Sequence, residues 1–291
     1  MKKLLLFFSL ALLASFGFAN IANYTFGYSA GTYTEITEGT ATSITTDDGA
    51  ENIVLPFGFN YDGTRYYNAR ICANGWMILY NGTAPTATAY TNNLSGTSIL
   101  NAVCPLWDDL NPTGTPPAVI SYKTLGNGSD RVFVVQWKDI KWYGSSGTAQ
   151  NFQVRLEENG NLIKFVYGTM NTPTGSASAS IGLIDAVGGS GHFLSVTPGN
   201  PPTVSSTTAN NTISAITYLT SGTTYTFTPD GPSTYPNLAT VVYPTNGAVA
   251  IPVNANLSWA DGGGWTDNFK LYLGTTNGDT NPPWNMVNGS D

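Results

Sequence analysis

The sequence predicts an all-β protein: an antiparallel β-sandwich followed by part of a second, truncated β-sandwich. Larger apolar residues recur at every second position in residues 132–138 and 152–157, which is typical of strands with one buried and one solvated face. Short apolar runs separated by Gly, Asn, Pro and Thr recur at the spacing of a sandwich. No stretch has the periodicity of a convincing amphipathic helix.

A hairpin is predicted at Asn159-Gly160, between the alternating runs 152–157 and 162–167. Asn-Gly between two such runs is the strongest short hairpin signal, because a type I′ turn needs positive φ at both central residues. The segment therefore establishes the antiparallel class, and it contains no obvious catalytic group.

The other predicted strands are also short and are not separated by helical crossovers, which favours antiparallel pairing over a parallel α/β sheet. The candidate strands are 24–28, 33–36, 52–59, 66–73, 76–80, 119–123, 132–137, 152–156, 162–167, 178–184 and 223–228.

Residues 1–19 have the pattern of a secretory signal peptide. Lys2 and Lys3 precede the apolar run 4–18, and Gly17 and Ala19 are the small residues that a cleavage site requires. A membrane anchor needs about 20 apolar residues, so this run is too short for one. We expect a secreted or cell-surface protein with no membrane insertion after cleavage.

Beyond residue 19, the chain divides at a linker. Residues 20–229 carry the predicted large sandwich, and 230–236 contain two prolines and a glycine, which resist both helix and sheet. Residues 237–291 then resemble the start of an immunoglobulin- or fibronectin type III-like domain, with strands at 239–243, 255–259 and 268–274. Such a domain needs about 100 residues, and only 291 − 236 = 55 follow the linker. We therefore expect a fragment of a longer protein.

The charge balance excludes one class of partner. Of 11 basic residues, two lie in the predicted signal peptide, so the mature net charge is 9 − 18 = −9. An acidic chain with so few basic residues lacks the electrostatic footprint of a nucleic-acid-binding protein. No nucleic-acid partner is expected.

The two cysteines, Cys72 and Cys104, leave two alternatives open. In an exported protein an even count suggests a disulfide, which would stabilise the fold by roughly 3–4 kcal/mol for a loop of this length. The other alternative is a pair of buried free thiols that act as small apolar side chains.

Two acidic pairs are candidates for calcium. Asp108-Asp109 follows a Pro-Leu-Trp segment, and Asp47-Asp48 precedes a glycine. Loops of extracellular β domains supply the six to eight oxygens that calcium takes. The alternative for each pair is a solvated turn. Asp108 and Asp109 are the first choice, because the adjacent Trp and Pro would hold that loop rigid.

Nothing in the sequence predicts an enzyme. His192 is the single histidine, and a triad with Ser190 is disfavoured because residues two apart rarely converge. A glycosidase needs only two carboxylates, and nothing marks a specific pair, but residue type does not exclude Glu35, Glu38, Glu51, Glu157 or Glu158.

Aromatic side chains offer a second route to ligand binding. Trp142 and Tyr143 are adjacent aromatics that could stack on sugar rings, because such rings combine an apolar face with a polar tip. The competing interpretation places at least one member of the pair in the core.

Four blocks together resemble the extracellular NIDO domain named after nidogen. They are LPFGFNYDGTRYYNARICANGWMILYNGT at 55–83, AVCPLWDDLNPTG at 102–114, ISYKTLGNGSDRVFVVQWKDIKWYG at 120–144 and NFQVRLEENGNLIKFVYG at 151–168. Their order and spacing fit the family over about 55–185. In its opening segment 24–36 and its closing segments 178–184, 193–199 and 223–229, the chain also resembles β-sandwich modules of large surface proteins from Bacteroidetes-like bacteria. The resemblance implies no catalytic residues and gives no support to a disulfide.

These patterns together predict a non-enzymatic adhesion or binding module, with an extracellular glycan or a matrix or surface protein as partner. The alternative is an accessory β region of a secreted peptidase or glycosidase whose catalytic domain lies outside this fragment.

Overall fold

In a computed structural model of the chain, the described residues are 20–230, apart from 129, 145–148, 173–177 and 215, together with four short strands between 240 and 287. The strands of the large domain, β1 to β15 in chain order, are Thr25–Ala30, Thr40–Ala41, Ala50–Tyr61, Thr64–Cys72, Trp76–Tyr80, Ala102–Trp107, Leu110–Asn111, Val119–Leu125, Val132–Trp142, Gln150–Glu157, Leu162–Tyr167, Ser180–Ile184, Phe193–Thr197, Thr203–Ser205 and Thr223–Thr228. Short 3₁₀ turns lie at Ile21–Asn23, Asn159–Asn161 and Ile216–Tyr218.

The strands form two antiparallel sheets. The first has the order β1-β15-β11-β10-β9-β8-β2, and β7 pairs with β9 beside this path. The second has the order β14-β13-β12-β6-β5-β4-β3. The arrangement is sandwich-like, so the predicted all-β antiparallel class is confirmed.

The inner faces of the two sheets share one apolar core. Two hydrogen bonds cross it. The Trp137 indole Nε1 donates to the Cys72 carbonyl at 2.9 Å, and the Tyr167 hydroxyl donates to the Pro105 carbonyl at 2.8 Å. Buried Trp and Tyr side chains usually find a partner for the polar tip. These two bonds also fix how the sheets sit against each other.

The predicted β10–β11 hairpin is present, but its turn differs from the prediction. The strands pair from Glu157 with Leu162, so four residues connect them. Positive φ occurs at Gly160 and Asn161 rather than at Asn159 and Gly160. Asn161 tolerates this left-handed conformation, and its side-chain oxygen accepts a hydrogen bond from the Asn60 amide at 3.0 Å. A tertiary contact therefore accompanies the shifted turn.

The outward face of the central strands is less solvated than the alternation predicted. Gln136 and Gln153 are buried, because the segment 33–36 crosses this face and bonds to them. Ile36 N donates to Gln136 Oε1 at 2.9 Å, and Gln153 Nε2 donates to the Thr34 carbonyl at 2.8 Å. The prediction of a strand at 33–36 was wrong, since its polar contacts go to side chains and not to a ladder.

The cysteines are free buried thiols, so the disulfide alternative was wrong. Cys72 lies on β4 and Cys104 on β6, with β5 between them. The register places Trp76 of β5 beside both. Two strand spacings separate the Cα atoms by about 9.5 Å, beyond the limit of about 7 Å for a disulfide.

Four short strands are described beyond the large domain. β16 (Thr240–Tyr243) pairs with β17 (Ser258–Ala260), and β18 (Lys270–Tyr272) pairs with β19 (Asn285–Val287). Three of these overlap the strands predicted there. The predicted signal peptide 1–19 and most of the predicted linker 230–236 fall outside the described residues. Within the described part, we find no helix whose length and apolar character suit a membrane span.

Candidate functional site

Carboxylates from the two predicted acidic pairs meet in the fold. Asp47 and Asp48 lie between β2 and β3, and Asp109 lies between β6 and β7. One carboxylate oxygen from each residue lies within 4.8 Å of the others. We call these three residues the acidic group. The sequence marked the two pairs as separate candidates and gave no sign that they would meet.

One buried asparagine connects the two turns that carry the acidic group. Asn74 Nδ2 donates to Asp48 Oδ1 at 2.7 Å, and Asn74 Oδ1 accepts from the Leu110 amide at 2.9 Å. Asp48 itself has positive φ, which an Asp tolerates better than most residues. Sequence reasoning did not single out Asn74 as a site residue. In the sequence, Asn74-Gly75 lies within the block 55–83 and has only the composition of a turn.

Asp108, the first choice for a calcium ligand, lies outside the acidic group. It is buried, and both of its oxygens accept hydrogen bonds from N–H groups. Oδ2 accepts from Trp142 Nε1 at 2.7 Å and from the Ser178 amide at 2.8 Å, while Oδ1 accepts from the Asp109 amide at 2.9 Å. Asp108 therefore holds three chain segments together. Its prediction as a ligand is revised to a structural role, and Asp109 keeps its place as a candidate.

The two residues of the predicted aromatic pair, Trp142 and Tyr143, also differ: one is buried and the other is exposed. Trp142 is 6% exposed and its indole is bonded to Asp108, so it presents no ring face to a ligand. Tyr143 is 58% exposed, and its amide donates to the Asp109 carbonyl at 2.8 Å. The alternation along the end of β9 turns one aromatic inward and leaves the next outside. Only Tyr143 remains a candidate, beside the acidic group.

Burial and neighbouring carboxylates raise the pKa values of Asp109 and Asp47. Burial raises the pKa of Asp109 to about 6, and the charges of Asp47, Asp48 and Asp108 act in the same direction. The pKa of Asp47 is raised too, first by burial and then by Asp48. A bound cation would relieve this repulsion. The acidic group supplies the ligand type that calcium prefers but only three carboxylates, so carbonyls or water would complete the shell. Calcium binding stays a prediction.

His192 forms a hydrogen-bonded pair that the sequence did not predict. Its Nδ1 lies 2.7 Å from Asp185 Oδ2, and the Asp185 amide donates to the His192 carbonyl at 3.1 Å. Asp185 is buried, and its other oxygen accepts from the amides of Val187 and Gly188. The pair closes the turn between β12 and β13. Among the described residues, Ser190 makes no hydrogen bond to the imidazole.

Three of the glutamates considered for glycoside hydrolysis are engaged separately. Glu158 accepts two bonds from the Arg131 guanidinium, at 2.7 and 2.6 Å, and Glu157 lies 2.6 Å from Lys164. Glu35 is paired with Lys138. Each carboxylate has its own basic partner, so the described residues bring no two of these glutamates together as an acid–base pair.

The comparisons with known proteins agree with this architecture. The family model described as NIDO related matches residues 23–229, which is more than half of the chain. No curated protein and no solved structure matches the chain. The match spans the domain whose two sheets carry the Trp137 and Tyr167 cross-links. The chain therefore belongs to the NIDO-related family.

Proposed function

We propose that this chain is an exported, non-enzymatic adhesion or binding module of a bacterial surface protein, in which residues 237–291 begin an immunoglobulin- or fibronectin type III-like domain. The observation that carries the proposal is the NIDO-related match over residues 23–229, since the NIDO family it resembles is extracellular. A glycan or a matrix or surface protein is the expected partner. The two lysines and the apolar run within residues 1–19 support export by a signal peptide.

The contacts of the reactive side chains support a binding role. Asp108, Asp185 and Glu158 each accept several hydrogen bonds from neighbouring chain segments. Carboxylates used in this way stabilise loops and are poor candidates for general acids or bases, which need access to substrate. What remains accessible is the surface of the loops, where binding sites of rigid β domains commonly lie.

Binding and turnover can be measured on the same purified chain. We expect saturable binding to at least one member of a panel of immobilised matrix glycoproteins and polysaccharides, and no hydrolysis of peptide or glycoside reporter substrates. Repeating the binding with calcium and with a chelator tests the acidic group. The proposal fails if the whole panel is unbound, or if the chain hydrolyses a reporter and His192→Ala abolishes that activity.

A further inference from the structure

A groove of about 350 Å³ lies beside the edge strand β1, and none of its lining residues belongs to the acidic group. We call it the tyrosine groove, after Tyr28, Tyr218 and Tyr225 in its lining. Further lining residues include Thr220 and Thr223. Its volume is at the lower end of the range for small-molecule sites, which matches one or two sugar rings.

Two of the tyrosines present ring surface to solvent. Tyr28 of β1 and Tyr218 of the 3₁₀ turn are each 51% exposed. Tyr218 lies between Ile216 and Leu219, both buried in the core, so the turn that carries it is anchored. Rigid, half-exposed tyrosines bind with little loss of side-chain entropy, which suits them to stacking.

The third tyrosine has an unusual hydrogen-bonding state. Tyr61, Tyr167 and Tyr225 are the fully buried tyrosines of the described chain. The Tyr61 hydroxyl donates towards two carbonyls and that of Tyr167 donates to Pro105. The Tyr225 side chain is 1% exposed and lines the groove, yet its hydroxyl has no hydrogen-bond partner among the described residues. The hydroxyl is not one of the buried, unpartnered polar atoms of the described chain, so it meets solvent in the groove and is open to a hydrogen bond from a ligand.

The polar groups of the groove are neutral. None of its described lining residues carries a charge. The Thr220 and Thr223 hydroxyls lie 3.2 Å apart, so they share one hydrogen bond and keep capacity for another partner. By contrast, a second groove of about 220 Å³ contains Glu38 and Lys123. Hydroxyls and aromatic faces without charge suit a ligand that is itself rich in hydroxyls and uncharged.

We propose that the tyrosine groove binds a neutral saccharide, with sugar rings against Tyr28 and Tyr218 and a sugar hydroxyl hydrogen-bonded to the Tyr225 hydroxyl. This inference rests on the proposed binding function and names its ligand class. It assigns the sugar contact to residues other than Tyr143. A charged saccharide is excluded by the cost of placing its charge in a groove without a counter-charge.

The test uses the full chain with neutral trisaccharides of glucose, mannose and galactose, and with a trimer of galacturonate as the anionic counterpart. Titration calorimetry is expected to detect at least one neutral sugar and not the galacturonate. Tyr225→Phe removes one oxygen and leaves the ring in place, and it should weaken binding about fivefold. Tyr28→Ala and Tyr218→Ala should each weaken it about tenfold.

Tyr90→Ala is the matched control, because Tyr90 is 52% exposed and does not line the groove. It should bind as the unmodified chain does. If sugar binds but Tyr225→Phe and Tyr28→Ala leave affinity unchanged, the groove assignment is overturned while the binding function stands. The same holds if the chain binds a panel protein and none of the neutral sugars. Binding to nothing in either experiment overturns both.

Discussion

The acidic group and the tyrosine groove differ in how their polar atoms are used. Around the acidic group, Asn74 and Asp108 bind the turns together through short hydrogen bonds. In the groove, the Tyr225 hydroxyl makes no hydrogen bond to any described residue. A polar atom that holds the fold affects stability when it is removed, whereas one left for a ligand affects binding. Four substitutions test this distinction.

The largest effect is expected from Asp108→Ala. The substitution leaves the amides of Asp109 and Ser178 and the indole of Trp142 without their acceptor. Losing a buried acceptor of three hydrogen bonds should lower the free energy of unfolding by about 4 kcal/mol. Urea denaturation followed by circular dichroism measures it. Asp130→Ala, at an exposed aspartate, should change it by less than about 0.5 kcal/mol.

Asn74→Ala should follow, with a loss of about 3 kcal/mol, because the buried Leu110 amide and Asp48 lose their shared partner. A thermal unfolding scan would show a decrease in Tm of roughly 6–12 °C for a domain of this size. Asn127→Ala is the control at an exposed asparagine. An unchanged Tm for Asn74→Ala would show that the acidic turns hold their positions without it.

Asp109→Asn should have a smaller effect, and one that depends on pH. The folded pKa of about 6 lies above the unfolded value of 3.8, so the folded state binds more protons between these values. Stability from this group is therefore lost as pH rises through 6. Allowing for solvent screening, Asp109→Asn should raise the free energy of unfolding by about 1 kcal/mol at pH 7.5 and leave it unchanged at pH 4. Equal effects at both pH values would contradict the repulsion.

The smallest effect on stability is expected from Tyr225→Phe, within about 0.5 kcal/mol of the unmodified chain, since no hydrogen bond to a described residue is lost. Tyr167→Phe is its matched partner and should cost about 1 kcal/mol, because it removes the bond to Pro105. Parallel urea titrations compare the two. Equal losses would mean that the Tyr225 hydroxyl already has a partner within the protein.

β11 and β15, which keep half-exposed positions between buried ones, were predicted with the bounds that the structure has. β5 was also predicted with its bounds although it is buried almost throughout, because Trp76–Tyr80 is an uninterrupted run of apolar and aromatic residues. β6 was missed because Ala102–Trp107 is buried throughout and contains Pro105, so it neither alternates nor resembles a central strand. Its outer face is covered by a second apolar cluster that includes Trp76 and Trp107.

The site residues were predicted only in part, because tertiary contacts decide which side chains come together. The two acidic pairs can be recognised in the sequence, but their proximity in the fold cannot. Asn74, which connects their turns, is distant from both along the chain. Trp142 and Tyr143 look equivalent in sequence and are separated only by the direction in which β9 turns each side chain. No sequence pattern marks that the Tyr225 hydroxyl lacks a hydrogen bond to the described residues, because tertiary packing decides its partner.

The pairing of β1 with β15 sets how the domain would respond to pulling. Thr25 lies opposite Thr228, so the first and last strands of the domain begin and end at the same corner. Tension between residues 20 and 230 would therefore separate the two strands one pair at a time from that corner, rather than shear all their hydrogen bonds together. Tyr28 of the groove pairs with Tyr225 halfway along this ladder. A ligand that contacts both tyrosines would then raise the force needed to separate the two strands.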